Sequence, residues 1–215
     1  MLSIMLLKIF VLGPIDNNSI LLTSEKTKES ILIDPTLKSF ENISKYLKDN
    51  NYTLKKILIT HSHWDHIAEC KQFKDEFNPD VYVHEKDAPN LIKPGSDGLF
   101  KSSRIKGVNP DVLLKGGEKI TLDNIEIEVI HTPGHSPGGV CYYIPKENLL
   151  ISGDTLFKGS FGRVDFPTAN PEDMIKSLQK LSKLPQNTKV IPGHGSTTTI
   201  EKESWLKDPT DFLSG

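Results

Sequence analysis

Six consecutive residues, 61–66 with the sequence HSHWDH, carry three imidazoles and one carboxylate. They directly follow the apolar run 56–60, so we expect them at the end of a buried strand. Polar groups packed this densely are costly to bury without partners, and a metal ion is the natural way to satisfy them. Zinc takes nitrogen and carboxylate ligands, both of which this segment supplies without a thiolate. The segment therefore predicts one part of a metal centre.

Three later segments share one pattern, in which an apolar strand runs into a glycine-containing loop with a ligand-type side chain. These loops carry His135, Asp154 and His194. Loops at strand ends are where a rigid sheet places functional groups, and glycine lets the backbone approach closely. With the first cluster they provide five histidines and two aspartates, enough for two metal ions that share a bridging ligand.

Four motifs occur in a fixed order: HSHWDH at 61–66, TPGHSPG at 132–138, SGDTLF at 152–157 and PGHG at 192–195. Together they resemble the motifs of the metallo-β-lactamase superfamily over about residues 6–195. The resemblance implies an α+β fold, the αββα sandwich, in which two mixed sheets lie face to face with helices outside. It also implies a metal site at one edge of the sheets.

The resemblance further implies a role for each ligand-type residue. The first ion is expected at His61, His63 and His135, and the second at Asp65, His66 and His194, with Asp154 as the bridge. The expected ions are two zinc, with iron or manganese as alternatives. Asp65 and Asp154 are the expected catalytic residues, because Asp65 can also accept a hydrogen bond from the nucleophile. Asp34 stands where the superfamily often has a strand-end aspartate, either as a hydrogen-bond partner of a ligand or as a plain turn cap.

Residues 153–167 resemble the glyoxalase II-like hydrolases and also the persulfide dioxygenases. The first likeness implies hydrolysis of an acyl thioester such as S-lactoylglutathione, and the second implies an iron-dependent oxidoreductase. Arg163 takes the position of a lysine that helps glyoxalase II to bind glutathione, and a guanidinium can hold a carboxylate bidentately. An ion pair between Arg163 and Asp165 is the alternative. Only residues 197–215 follow the last motif, so the substrate pocket is expected to come from the core, with help from residues 85–117.

The pattern of apolar residues predicts strands at 6–12, 19–23, 29–34, 55–60, 81–84, 140–144, 148–152 and 189–191, and two strands within 119–130 on either side of residues 123–124. It predicts helices at 39–50, directly after residue 66 and at 171–184. Residues 85–117 have no clear pattern and are expected to form a long loop that walls or covers the site. We expect one domain over residues 1–215. His131 is expected to support the loop that carries His135, and His84 is expected to have an ordinary structural role.

The composition bounds the partners and the location. A formal net charge of −2 over 215 residues favours neither a nucleic-acid partner nor a membrane surface. The partner that the resemblance implies is a small-molecule thioester substrate. Cys70 and Cys141 are expected to be unreactive thiols in a reducing compartment, with one disulfide as the alternative. The N-terminus lacks the features of a signal peptide, so the expected location is the cytoplasm. The sequence does not indicate an oligomeric state.

Overall fold

A computed structural model describes residues 4–99 and 104–210, which form fourteen strands and five α-helices. The strands are β1 Met5–Leu12, β2 Asn17–Ser24, β3 Glu29–Ile33, β4 Thr53–Leu58, β5 Asp80–His84, β6 Val112–Leu114, β7 Lys119–Leu122, β8 Ile125–His131, β9 Val140–Ile144, β10 Leu149–Gly153, β11 Leu156–Phe157, β12 Ser160–Phe161, β13 Lys189–Pro192 and β14 Thr198–Thr199. The helices are α1 Ser39–Asp49, α2 Trp64–Ile67, α3 Cys70–Phe77, α4 Ala88–Ile92 and α5 Pro171–Leu181.

Two six-stranded sheets organise the molecule. The first has the order β1-β2-β3-β4-β5-β6 and the second the order β14-β13-β10-β9-β8-β7. Both sheets are mixed. In the first, β1, β2 and β3 are antiparallel neighbours, while β3, β4, β5 and β6 run parallel. In the second, the β10–β13 pair is parallel and the other pairs are antiparallel. Strands β11 and β12 form a separate hairpin.

The main core lies between the two sheets. Ile20 and Ile33 of the first sheet share one buried cluster with Ile127, Tyr142 and Ile191 of the second. Each fully buried aliphatic side chain of this kind contributes about 1.5–3 kcal/mol relative to exposure. Because side chains alternate along a strand, the other faces of both sheets also carry apolar residues and need a cover.

Helices provide that cover. The outer face of the first sheet packs against α1 and α3, in a buried cluster that includes Leu32, Leu47 and Phe73. The outer face of the second sheet packs against α5, which begins where the Asn170 side chain accepts hydrogen bonds from the backbone N–H groups of residues 172 and 173. The order of layers is helix, sheet, sheet, helix, so the predicted αββα sandwich is confirmed.

The structure corrects several details of the predicted elements. The segment 85–117 is not one continuous loop, since it contains α4 and β6, and residues 100–103 of it lie outside the described part. The helix expected after residue 66 is two short helices, α2 and α3. The hairpin β11–β12 and strand β14 were not predicted, because two residues are too few to show alternation. Within the described ranges, none of the helices combines the length and the apolar character needed to cross a membrane.

Candidate metal centre

The seven predicted ligand side chains meet at one edge of the two sheets. Strands β8, β10 and β13 run in the same direction, so the loops that follow them leave the second sheet on one side. The loop after β4 joins them from the first sheet, where the N–H of Val140 donates to the carbonyl of Thr60 at 2.8 Å. The donor atoms form three overlapping groups, each within 4.8 Å, made up of His61, His63, Asp65, His66, His135, Asp154 and His194.

The three-histidine site consists of His61, His63 and His135. Nδ1 of His63 lies 2.8 Å from Nε2 of His135, so both nitrogens face the same point. The remaining nitrogens of two of these rings are held from outside: Nδ1 of His135 donates to the carbonyl of Arg163 at 2.8 Å, and Nδ1 of His61 lies 3.1 Å from Oγ1 of Thr60. A fixed outer nitrogen sets the tautomer that presents the inner nitrogen as a ligand.

The mixed site consists of Asp65, His66 and His194. Oδ2 of Asp65 lies 3.2 Å from Nε2 of His66 and 3.2 Å from Nε2 of His194, and the two nitrogens are 3.2 Å apart. Three donors at equal spacing are the arrangement that one small divalent cation requires. Both rings are oriented from behind, since Nδ1 of His194 donates to the carbonyl of Ile15 at 2.9 Å and Nδ1 of His66 donates to Asp34.

Asp154 lies between the two sites. Its Oδ2 is 3.4 Å from Nε2 of His135, and its Oδ1 is 3.4 Å from Nε2 of His66. Gly193 makes room for it, because a Cβ at that position would fall 2.1 Å from Oδ1 of Asp154. Oδ2 also lies 3.5 Å from Nε2 of His194, so the carboxylate is close to donor atoms of both sites, which is the placement of a bridging ligand.

Two buried atoms at the centre test whether a metal fits. Among the described residues, neither Nε2 of His61 nor Oδ1 of Asp154 has a hydrogen-bond partner. Both atoms carry lone pairs, and a buried polar atom without a partner costs about 1–3 kcal/mol or more. A cation at this position satisfies both, so the donor set fits two divalent ions.

Asp34 supports the mixed site from the end of β3. Its Oδ2 accepts from Nδ1 of His66 at 2.9 Å and from Oγ1 of Thr60 at 2.6 Å, and its Oδ1 accepts from the N–H of Thr60 at 2.8 Å. Of the two roles expected from the sequence, the hydrogen bond to a ligand is present. The same carboxylate also fixes the start of the loop that carries the other ligands.

Asn17 is a residue of the site that the sequence did not reveal. It is 1% exposed, and its Nδ2 donates to Oδ2 of Asp65 at 2.7 Å. Its backbone pairs with that of His194 in an isolated β-bridge. Asparagine at the start of β2 follows a turn-forming sequence, and such a residue normally indicates only the turn. Its partner lies 48 positions away, so the sequence gives no local signal for this contact.

The two sites differ in charge. Burial and the neighbouring rings hold the pKa of His61 and of His63 well below the usual value, so these rings are neutral. Burial also lowers the pKa of His66, but the carboxylates of Asp65, Asp154 and Asp34 outweigh this effect and raise it well above the usual value. Burial raises the pKa of Asp65, whereas His66 and His194 together hold it well below its usual range.

A cavity of about 370 Å³ opens onto both sites. Its walls combine five of the ligands with large apolar side chains, as small-molecule sites commonly do. One apolar residue, Leu99, belongs to the segment 85–117 that the sequence predicted as a wall, and Ile15 comes from the turn before β2. The lining residues are Ile15, His63, Trp64, Asp65, Leu99, His135, Asp154, Phe157, Arg163, Phe166 and His194.

Arg163 lies at the rim of this cavity and is paired with Asp165. Its Nε and Nη2 donate to the two carboxylate oxygens at 2.9 and 2.7 Å, and its guanidinium lies 4.5 Å from the centroid of the Phe166 ring. The ion pair is therefore present, and both side chains are about two-thirds exposed. An exposed pair of this kind contributes little stability and leaves the guanidinium accessible.

The remaining singled-out residues lie outside the donor set. The His131 ring, whose Nε2 donates to the carbonyl of Pro137 at 3.1 Å, braces the loop that carries His135. It also stacks on His84 with ring centroids 4.1 Å apart and an angle of 11° between the planes.

Cys70 and Cys141 are free, buried thiols in different clusters, and burial raises their pKa to about 12 and about 11.

Fold and site together define a metal-binding αββα protein, and sequence comparison specifies the family. The family model of the metallo-beta-lactamase superfamily matches residues 12–194, so the chain belongs to this superfamily. Among its relatives is the probable metallo-hydrolase YqgX of Bacillus subtilis, 33% identical over 94% of this chain and 95% of YqgX. The chain is accordingly a metallo-hydrolase of the superfamily.

Other relatives are more specific in name. The hydroxyacylglutathione hydrolase GloC of Haemophilus influenzae is 32% identical over 82% of this chain and 84% of its own. Among solved structures, the B3 metallo-beta-lactamase BLEG-1 superposes with a TM-score of 0.86 at 36% identity, covering 98% of this chain and all of its own. TTHA1623 in a di-iron-bound form superposes with a TM-score of 0.79 at 33% identity, covering 94% and 98%.

Proposed function

We propose that this protein is a binuclear zinc hydrolase of the glyoxalase II-like group that cleaves an acyl thioester such as S-lactoylglutathione. The observation that carries the proposal is the pair of donor groups joined by Asp154 and open to one cavity. The relationship to GloC supports the thioester as substrate, because that relative is named for hydrolysis of a hydroxyacyl thioester.

Seven residues would hold the two ions, as the three-histidine site and the mixed site with Asp154 between them. Two divalent ions supply Lewis acidity and bring the pKa of a coordinated water from 15.7 to about 7. Asp65 has one oxygen engaged by Asn17, which fixes its carboxylate beside the cavity where it can orient the attacking water. Asp65 and Asp154 are thus the proposed catalytic residues.

The cavity walls would hold the substrate. Trp64, Phe157 and Phe166 present apolar surface to the acyl group and the thiol carrier, and Arg163 offers a cation at the rim. A guanidinium binds a carboxylate with two hydrogen bonds, as it already does with Asp165. Arg163 is therefore the proposed contact for a carboxylate of the carrier, with Asp165 as the group that the substrate displaces.

The decisive experiment is hydrolysis of S-lactoylglutathione by the zinc-loaded protein. We expect turnover in the wild type and a loss of at least about a thousandfold for Asp154→Ala, since the bridge serves both sites and metal catalysis supplies several kcal/mol. Lys45→Ala, which removes an exposed ion pair far from the loops, is the matched control. Absence of turnover with every thioester tried, with zinc or with iron, would contradict the proposal.

Metal analysis separates this proposal from its main alternative, the iron-dependent persulfide dioxygenase. The di-iron-bound form of TTHA1623 favours testing iron directly. Two zinc ions per chain are expected for the hydrolase, whereas one iron together with oxygen consumption in the presence of glutathione persulfide would favour the dioxygenase. Because BLEG-1 is a B3 metallo-beta-lactamase, a chromogenic cephalosporin is the third substrate to test. We expect this protein to hydrolyse it more slowly than the thioester.

A further inference from the structure

Asp87 is a buried carboxylate that belongs to none of the three donor groups. It follows β5 and directly precedes α4, and it is 3% exposed. Its Oδ2 accepts from the N–H of Ser62 at 2.8 Å and from Oγ of Ser136 at 3.0 Å, and its Oδ1 accepts from the N–H of Gly138 at 2.6 Å. Three donors on two oxygens offset part of the cost of burying the charge, although burial still outweighs them and raises the pKa of Asp87.

The partners of Asp87 are the neighbours of metal ligands. Ser62 lies between His61 and His63 on the loop after β4, in the first sheet. Ser136 follows His135 on the loop after β8, in the second sheet. One side chain therefore ties together two loops that leave different sheets and contribute to the same three-histidine site.

The contact is tight on both sides. Asn90 lies one helical turn after Asp87, and its Nδ2 donates to the carbonyl of Ser62 at 2.6 Å. Asp87 and Asn90 therefore bind both the N–H and the C=O of Ser62. On the other loop, a Cβ at Gly138 would lie 2.5 Å from Oδ1 of Asp87, so the approach requires glycine. Residues 87–90, near the start of the segment 85–117, therefore pack against the ligand loops and do not line the cavity.

We propose that Asp87 is a positioning residue for the three-histidine site, which holds the His63 and His135 loops at the distance that one metal ion needs. The 2.8 Å separation of their facing nitrogens depends on the relative position of the two loops. This proposal rests on the metal centre of the proposed function and not on the thioester substrate. It is tested without turnover.

The test uses the full chain, stripped of metal and titrated with Co²⁺ against a competing chelator. We expect Asp87→Asn to bind one of its two ions about 10–100-fold more weakly than the wild type, the range typical of lost ligand-supporting partners. An amide accepts through one oxygen only, so its NH₂ group faces a donor of at least one loop, and we expect the loops to shift and the visible absorption bands of Co²⁺ to change as well. The other ion, at the mixed site, is expected to bind with nearly unchanged affinity.

Glu203→Gln is the matched control. Glu203 is likewise 3% exposed and accepts from the N–H of Gly159 and Nε1 of Trp205, both at 2.8 Å, and from Oγ1 of Thr198, but it contacts neither loop of the three-histidine site. We expect it to lower the melting temperature while leaving Co²⁺ affinity and absorption as in the wild type. An equal loss of Co²⁺ affinity in Glu203→Gln would overturn the proposal, because general destabilisation would then explain the effect.

Ser136→Ala provides a second variant if Asp87→Asn does not fold. It removes one of the three hydrogen bonds, and we expect a smaller, several-fold loss of affinity at the same ion with the same direction of spectral change. Two tightly bound Co²⁺ with wild-type affinities and spectra in the folded variants would refute the role of Asp87. A wild-type protein that binds fewer than two ions would instead count against the proposed binuclear centre.

Discussion

The three-histidine site and the mixed site each have three ligands of their own and share Asp154. The residues that hold these ligands in position differ between the two sites. Behind the mixed site lies the Asp34 carboxylate on His66, whereas the Asn17 amide lies among the donor atoms, with its Nδ2 2.7 Å from Oδ2 of Asp65, 3.4 Å from Nε2 of His194 and 3.5 Å from Nε2 of His66. Behind the three-histidine site lie a hydroxyl on His61 and a backbone carbonyl on His135, and the carboxylate of Asp87 acts on the loops rather than on a ring. A carboxylate contacts a ligand ring directly at the mixed site, whereas the carboxylate near the three-histidine site contacts the ligand loops.

The difference follows the charge of the ligands. The His61 and His63 rings are neutral, because burial lowers their pKa, and a neutral imidazole needs only an orienting partner. At the mixed site the surrounding carboxylates raise the pKa of His66. That ring and its carboxylate partners form a buried network, in which removal of one member leaves another without its partner. Substitutions behind the mixed site should therefore have the larger effects.

The largest effect in this comparison is expected for Asp34→Asn. An amide has one accepting oxygen where the carboxylate has two, so its NH₂ group must face either the N–H of Thr60 or the pair of donors from His66 and Thr60, and the support of the His66 ring is disturbed. We expect the metal affinity of the mixed site to fall about 10–100-fold, with little change at the three-histidine site. Zinc titration against a chelator measures both. Equal weakening at the two sites would contradict their separate support. Asp111→Asn is the control, because this exposed carboxylate contacts Val81 of β5 and Lys74 of α3, away from the metal ligands.

A smaller effect is expected for Asn17→Ala. This change removes one hydrogen bond to the Asp65 carboxylate, and bonds to charged groups contribute about 1.5–3 kcal/mol. We expect roughly a tenfold loss of affinity at the mixed site and a lower kcat for the thioester, since Asp65 also orients the water. Asn18→Ala is the matched control, because Asn18 donates only to the carbonyls of Pro192 and Gly195. A greater metal loss in Asn18→Ala would show that loop position, not the Asp65 contact, is what matters.

The ligands and their supports also differ in how far the sequence reveals them. All seven ligand side chains follow apolar strands in recognisable motifs, and the structure brings them together as expected. Asn17 and Asp87 were not anticipated, because each is a single polar residue in or next to a turn, and their partners lie 25 to 51 positions away. Such contacts arise from the packing of two sheets, and no local pattern encodes them.

The elements show the same limit. Longer strands and helices, such as β8 with seven residues and α5 with eleven, have a periodicity that predicts them, whereas the five-residue helix α4 was not predicted. Strand β6 has three residues and β11 and β12 have two each, so no alternation can be seen. These short elements form because their edges pair with longer neighbours or with each other. They matter for the site, since Phe157 of β11 forms part of the cavity wall.

Arg163 contacts the three-histidine site through His135 and also lines the cavity, so its substitution separates substrate binding from metal binding. We expect a modest effect on KM. Its carbonyl holds His135 and its side chain is paired with Asp165, so Arg163→Ala keeps the first contact and removes the second. We expect KM for a thioester with a carboxylate-bearing carrier to rise several-fold, with kcat and metal content nearly unchanged. Steady-state kinetics with a neutral carrier, for which KM should not change, is the control. A fall in kcat with constant KM would contradict a binding role.

The smallest effect is expected from His84, whose stack with His131 braces the three-histidine site and has no counterpart at the mixed site. Burial and the neighbouring His131 lower the pKa of His84 below 6.5 in the folded protein. As the pH falls through 6.5 the unfolded chain takes up a proton on this ring and the folded chain does not, so acid reduces stability.

In metal-free protein we therefore expect the drop in melting temperature between pH 7.5 and 5.5 to be smaller for His84→Phe than for the wild type. His84→Phe keeps a ring in the stack but loses the bond to the Lys115 carbonyl, so its melting temperature at pH 7.5 should itself be lower. Identical pH dependence in the two proteins would show that His84 carries no share of the acid sensitivity.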